Sequence, residues 1–178
     1  NMVSGPVDMN NGFMELHQGR TTRKDNNQEV PSTVCAEAAR TLITYSGATV
    51  IPDIPEYYYK HPELLEFLSS QQQPWQESHT LSGEIGEYIV MMRESRDGRY
   101  LIGAATSEDG RTVSVDLSFL PRGRYIAKIT EDADDAHYLT NREVTKSREV
   151  KVKGGRKAGT IDLTMAPGGG ACVIIQKR

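Results

Sequence analysis

Long apolar runs are missing from this sequence. No run exceeds five residues, as in Tyr88 to Met92, whereas a bilayer-spanning helix needs roughly 20. The opening residues do not show the charged-then-apolar pattern of a secretory leader. Cysteine is nearly absent: Cys35 and Cys172 are the two present, which excludes a disulfide framework and a cysteine-built zinc site. There is no excess of basic charge either. The 21 Lys and Arg stand against 24 Asp and Glu, for a net charge of −3, and a nucleic-acid binder normally carries a basic stripe. What is present is an ordinary soluble composition, 37% hydrophobic and 25% charged over 178 residues, slightly lean in apolar groups.

The texture changes near Ser82. Before it, extended and helical pieces alternate. Asn1 to Val7 is expected to form a short strand, ending in the turn-rich Asp8-Met9-Asn10-Asn11-Gly12. The polar stretch His17 to Gln28 is expected to be an exposed loop. Pro31 and then Ser32 or Thr33 as N-cap open a helix through Tyr45, with Cys35, Ala38, Ala39, Leu42 and Ile43 at the 3-4 spacing of one buried face. Ala48 to Ile51 reads as a strand stopped by Pro52-Asp53. His61-Pro62-Glu63 then starts a second helix with Pro at its first position. Strand, helix, strand is a βαβ unit, which implies a parallel sheet. Two such strands do not close a domain, and a (β/α)8 barrel takes roughly 250 residues, so this portion looks like part of something larger.

After Ser82 the period is two. Glu87–Arg93 and Arg99–Thr106 read as a strand and its return, and Thr112–Phe119, Tyr125–Ile129, Val150–Val152, Ile161–Met165 and Cys172–Ile174 repeat with a period of two. Asp97-Gly98 and Asp109-Gly110 supply turn chemistry. Seven short strands of this kind make an antiparallel sandwich.

Several segments in series carry a family likeness. They are Gly5-Pro6-x-Asp8 with Gly12; Ser46-Gly47-Ala48-Thr49-Val50-Ile51-Pro52-Asp53-Ile54-Pro55; and His61-Pro62-Glu63-Leu64-Leu65-Glu66-Phe67-Leu68. Trp75-x-Glu77-Ser78 with Leu81, Gly86-Glu87-Tyr88-Ile89, Asp116-Leu117-Ser118-Phe119-Leu120 and Ala166-Pro167-Gly168-Gly169-Gly170 follow. In this order and spacing they resemble the C-terminal third of glycoside hydrolase family 97. Its members are α-glucosidases and α-galactosidases with an N-terminal β-sandwich, a (β/α)8 barrel and a C-terminal β-sandwich.

The resemblance implies a fold class of α/β followed by all-β. Residues 1–81 would be the last strands and helices of the barrel, and 82–178 the antiparallel sandwich. Asn1 to Asp8 would be the seventh barrel strand and Ala48 to Asp53 the eighth. It also implies that the catalytic carboxylates and calcium-binding glutamates lie before Gly5, so that none is in this chain. The chain would then be a piece of an enzyme, inactive alone, whose preceding portion is missing; Asn1 before Met2 gives no sign of a natural start. The whole protein is expected to cleave terminal α-linked glucose or galactose from oligosaccharides, with calcium, in the periplasm, with neither nucleic acid nor membrane as a partner. The alternative is a stand-alone carbohydrate-binding or structural sandwich module, against which the βαβ portion argues.

Glycoside hydrolysis needs two carboxyl groups about 5 to 9.5 Å apart. Asp8 and Asp53 each end an expected barrel strand, where barrel active sites are built, and are candidates for sugar contact rather than catalysis. The bland reading is that Asp8 caps a turn and Asp53 accepts backbone N–H groups after Pro52. Tyr57, in the run Tyr57-Tyr58-Tyr59, is a candidate for stacking on a sugar at the rim. Trp75 is expected to pack between helix and sandwich. Glu131-Asp132-Ala133-Asp134-Asp135 lacks the third ligand and glycine of a calcium loop and is expected to be a solvated loop. The four histidines have no metal spacing and are expected at the surface or at caps. The two cysteines are expected to be small buried residues, and Gly168-Gly169-Gly170 a turn.

Overall fold

The computed structural model describes residues 6–17, 29–156 and 158–178. The fold is dominated by a six-stranded sheet in the order β3-β4-β5-β10-β7-β8, every neighbouring pair antiparallel. Its strands are β3 (Glu77–Glu84), β4 (Tyr88–Glu94), β5 (Tyr100–Thr106), β7 (Gly123–Asp132), β8 (Thr145–Gly154) and β10 (Gly170–Lys177). A two-stranded antiparallel sheet of β6 (Arg111–Asp116) and β9 (Thr160–Met165) covers one face. The sandwich is thus as the alternation requires: Val115, Leu117, Ile161 and Leu163 are buried between the sheets.

The other face of the large sheet carries the first portion of the chain, with helices α1 (Val34–Ile43), α2 (Pro55–Tyr58) and α3 (Pro62–Ser69). Period-two alternation on β10 shows how one strand serves both layers. Ala171, Val173 and Ile175 enter the sandwich core, while Cys172 and Ile174 enter a second core with Leu42, Leu64 and Phe67 of the helices.

Helix α1 starts where its residues dictate, the Thr33 hydroxyl accepting the Ala36 N–H at 3.2 Å. It is buried nearly all round, including Glu37 and Thr41, rather than on the single face its spacing suggests. The sheet comes close beneath it because glycines lie there. A Cβ on Gly103 would stand 2.8 Å from the Ala39 carbonyl, and one on Gly170 2.6 Å from the Ala36 Cα. At the other end Arg93 of β4, 3% exposed, caps the last carbonyls, donating to Leu42 O at 2.7 Å and Ile43 O at 3.1 Å. Its guanidinium lies 5.9 Å from the Trp75 ring centre and 5.2 Å from that of Tyr45, so Trp75 does pack between helix and sandwich.

The structure corrects several expectations. A strand is found at β1 (Met9–Asn10), inside the stretch expected to turn; it pairs in parallel with β2 (Thr49–Val50). The turn comes at Gly12, φ +93°. The expected strand Asn1 to Val7 and loop His17 to Gln28 fall largely outside the described residues. The sandwich has an eighth strand, β3, whose mostly polar ESHTLSGE shows no alternation because it is an exposed edge. Glu131 and Asp132 are not solvated: they end β7 at 3% and 1% exposure. His61 is buried as well. Both cysteines are buried, as expected, and free.

Candidate functional site

The residues singled out for sugar contact gather around the parallel β1–β2 pair. β1 is followed by Asn11 and Gly12, and a Cβ on Gly12 would meet Thr41 Cγ2 at 3.0 Å, so glycine is required both by φ and by room. The chain then runs through Phe13, Met14 and Glu15 as a loop held by two carboxylates, the buried Glu37 and the half-buried Asp53. Glu37 Oε2, from α1, accepts the N–H groups of Gly12 and Phe13 at 3.3 and 3.4 Å. Asp53 Oδ2, just after β2, accepts those of Met14 and Glu15 at 2.7 and 2.9 Å. Four successive amides are thereby satisfied without secondary structure. The Tyr58 hydroxyl ties the two halves, accepting the Asp53 N–H at 3.2 Å and donating to the Gly12 carbonyl at 3.1 Å.

Asp53 is therefore a bracket for this loop: it accepts backbone N–H groups, but those of Met14 and Glu15 rather than the local ones after Pro52. Asp8 is exposed and stands before β1, because the strand lies two residues later than its apolar residues suggest. Tyr57 is half-buried with Lys60 Nζ 4.5 Å over its ring. Burial first, and then the adjacent Glu15 carboxylate, raise its phenol above the ordinary range. Glu15 is 8% exposed and its Oε1 accepts the His17 N–H at 2.9 Å. Sequence reasoning passed over Glu15 and Glu37, since a lone glutamate in a loop and another on a helix carry no spacing signal.

A further tie comes from the loop after β7. Arg142, 5% exposed, donates to the carbonyls of Leu16 (3.4 Å), Val30 (3.3 Å) and Leu139 (3.2 Å) and pairs with Glu29, whose pKa it lowers. The Val34 N–H of α1 in turn reaches the Arg142 carbonyl at 3.0 Å. One buried arginine thus fastens the sandwich to the segment that follows β1. Among the described residues no three His, Cys, Asp or Glu side chains converge to hold a metal ion. Nor is any described helix long and apolar enough to cross a membrane.

Among the described residues the architecture is an antiparallel sandwich fastened at one face to a short parallel βαβ unit. Residues 74–176 match the family described as "Glycosyl-hydrolase 97 C-terminal, oligomerisation", and the chain belongs to that family. A retaining alpha-galactosidase of Bacteroides thetaiotaomicron is 32% identical over 98% of this chain, which covers 26% of that protein. The structure of a family 97 glycoside hydrolase from Pseudoalteromonas sp. strain K8, solved in complex with panose and with acarbose, superposes with a TM-score of 0.88 at 26% identity over 99% of this chain and 27% of its own. A beta-arabinopyranosidase shares the fold at a TM-score of 0.70 and 18% identity, over 92% of this chain and 24% of its own. The chain thus spans about a quarter of the length of the relatives it matches.

Proposed function

We propose that this chain is the C-terminal part of a glycoside hydrolase that removes terminal α-linked galactose or glucose from oligosaccharides, and that the chemistry is carried by the portion preceding it. The observation that carries this reading is the extent of the likeness. The Bacteroides galactosidase matches 98% of the chain, so the βαβ portion as well as the sandwich has a counterpart in a glycosidase. On this reading β1 and β2 are the closing strands of a (β/α)8 barrel, α1 and α3 its last helices, and the barrel gives way to the sandwich near residue 81. The parallel β1–β2 pair supports it. So does the apolar surface around β2, where Val50, Ile51 and Ile54 are 57%, 44% and 52% exposed, as an unpaired barrel edge would be.

The resemblance supplies calcium and a periplasmic setting. The ion would be held by residues outside this chain. Within the chain, Asp8 and Tyr57 contact sugar at the rim. Asp53, with Glu37, acts through the loop it holds, because a small misplacement of groups away from the chemistry can itself slow a reaction. The sandwich adds no chemistry; it buries the outer faces of the helices and serves assembly, as the family description states.

Hydrolysis of p-nitrophenyl α-galactoside and α-glucoside tests the reading. The whole protein should turn over at least one of them and lose that activity to a chelator, while the 178-residue chain alone should be inert. Turnover by the chain alone would sink the proposal. So would a whole protein inert on both substrates whose isolated chain binds sugars unaided, the behaviour of a binding module.

A further inference from the structure

We propose that the cleft lined by Trp75 and Tyr45, with Met91 and Arg93 as its floor, binds an α-linked oligosaccharide. The choice of linkage rests on the glycosidase reading above; the choice of a sugar rests on the cleft. Helix α1 lies over β5 and β10, and β3, at the sheet edge, is left outside its cover with Ser78 and Thr80 exposed. The register sets Ser78 opposite Arg93 and Thr80 opposite Met91, so the two hydroxyls share the helix side of the sheet with those side chains. A hollow of about 370 Å³ results, within the range of roughly 300 to 1,000 Å³ that small-ligand sites occupy.

Packing does not use up its two rings. Tyr45, just past α1, is 39% exposed, and Trp75 is half-buried. A pyranose presents C–H groups on its faces and hydroxyls around its edge, so it calls for aromatic surface beside polar groups fixed in position. The polar groups here are fixed. Arg93 donates to Leu42 O, Ile43 O and, at 2.7 Å, Ser78 Oγ. Among the described residues this occupies three of its five N–H groups and leaves two. Ser78, by accepting from Arg93, keeps its own O–H to donate. The Gln76 amide is held by the Pro74 carbonyl at 3.0 Å. Donors and acceptors set in advance cost a ligand less to engage.

Other ligands fit less well. A cation meets the Arg93 charge. An anion meets Glu77, which lines the cleft, and the carbonyl end of α1, which already answers that charge. A proline-rich peptide also seeks aromatic grooves, but its prolines have no N–H to give Glu77 or the Gln76 oxygen. A neutral ligand rich in hydroxyls serves all of these groups at once.

Trp75 is the single tryptophan of the chain, so its fluorescence reports on the cleft itself. The 178-residue chain is titrated with maltotriose and, for an α-galactosyl end, with raffinose. At least one should give a saturable change with a Kd on the order of 1 mM, as befits an open groove. Tyr45→Ala should raise that Kd at least about fivefold and leave the circular dichroism spectrum as it was. Tyr59→Ala removes an exposed ring that does not line the cleft and should leave the titration unmoved. No saturable change with either sugar at about tenfold that concentration, an affinity that survives Tyr45→Ala, or a response to a proline-rich peptide in place of the sugars would each overturn the proposal. Turnover by the whole protein judges the glycosidase reading separately. A whole protein inert on both nitrophenyl substrates fails that reading even where the chain binds sugar, and an active one does not rescue a cleft that binds none.

Discussion

Asp132 is the residue whose surroundings are most at odds with its charge. Its Oδ2 accepts the N–H groups of Ala166 at 3.0 Å and Gly170 at 2.7 Å, and Gly169 has no room for a Cβ against it. Burial raises its pKa from 3.8 to about 6, against the lowering by the Thr33 hydroxyl and those two N–H groups. The folded state therefore holds a proton that the unfolded chain has released, so this group makes stability fall as pH rises from about 4 to about 6. A shift of this size corresponds to about 3 kcal/mol. An Asp132→Asn variant keeps an acceptor for both N–H groups and cannot titrate. Urea unfolding of the two proteins should show the wild type gaining on the variant by about 2 kcal/mol between pH 7 and pH 4. Parallel pH profiles would show that the carboxyl is not perturbed. The sequence placed Asp132 in a solvated loop because five residues with four carboxylates look solvated. Nothing local announces that the glycine triplet, more than thirty residues on, folds over the second of them.

Among the elements, those with a strong local signal were legible and those defined by their neighbours were not. The Thr33 cap, Pro62 at the start of α3 and the alternation of β6, β9 and β10 are written in adjacent residues. β3 and β1 are written elsewhere: β3 is a strand because β4 offers it a partner, and Met9–Asn10 because Thr49–Val50 does. The same holds for how α1 ends. Its last carbonyls are satisfied by Arg93, some fifty residues later, whose Nη1 also donates to Ser78 Oγ at 2.7 Å. That side chain locks the helix, β3 and β4 together. Burial lowers its pKa, yet arginine stays charged, and the carbonyl end of the helix is what makes a buried cation tolerable. Arg93→Met keeps the volume and removes every donor, so the carbonyls of Leu42 and Ile43 are left dry. We expect a loss of about 3 kcal/mol in urea unfolding, with Arg93→Lys recovering less than half because an ammonium lacks the planar fork. A loss no larger than about 0.5 kcal/mol, the size of an ordinary surface substitution, would mean that water reaches those carbonyls.

At the scale of the molecule, the two halves differ in how complete they are. The large sheet is covered on both faces, by β6–β9 and by the helices, and its strands have long registers. The β1–β2 sheet is two residues long on each strand, too short to persist as a ladder by itself. What keeps it in place is the bracket of Glu37 and Asp53, with Arg142 on the following segment. The site was legible only as far as strand ends could be placed. Tyr57 and Asp53 could be singled out because they follow β2, while Glu37 was hidden because its contacts depend on a loop folded back from β1. If the preceding portion of the protein supplies the next parallel strand, local stability should be uneven in the chain alone and even in the whole protein. Hydrogen exchange by mass spectrometry can compare the two. Amides of Val50 and Ile51 should exchange at least about tenfold more slowly in the whole protein, a change of about 1.4 kcal/mol in opening free energy. Those of β5, β7 and β10 should exchange alike in both. Equal exchange of the β2 amides in the two forms would mean that no strand joins that edge, and the barrel reading of the first portion would have to be given up while the sandwich stood unchanged.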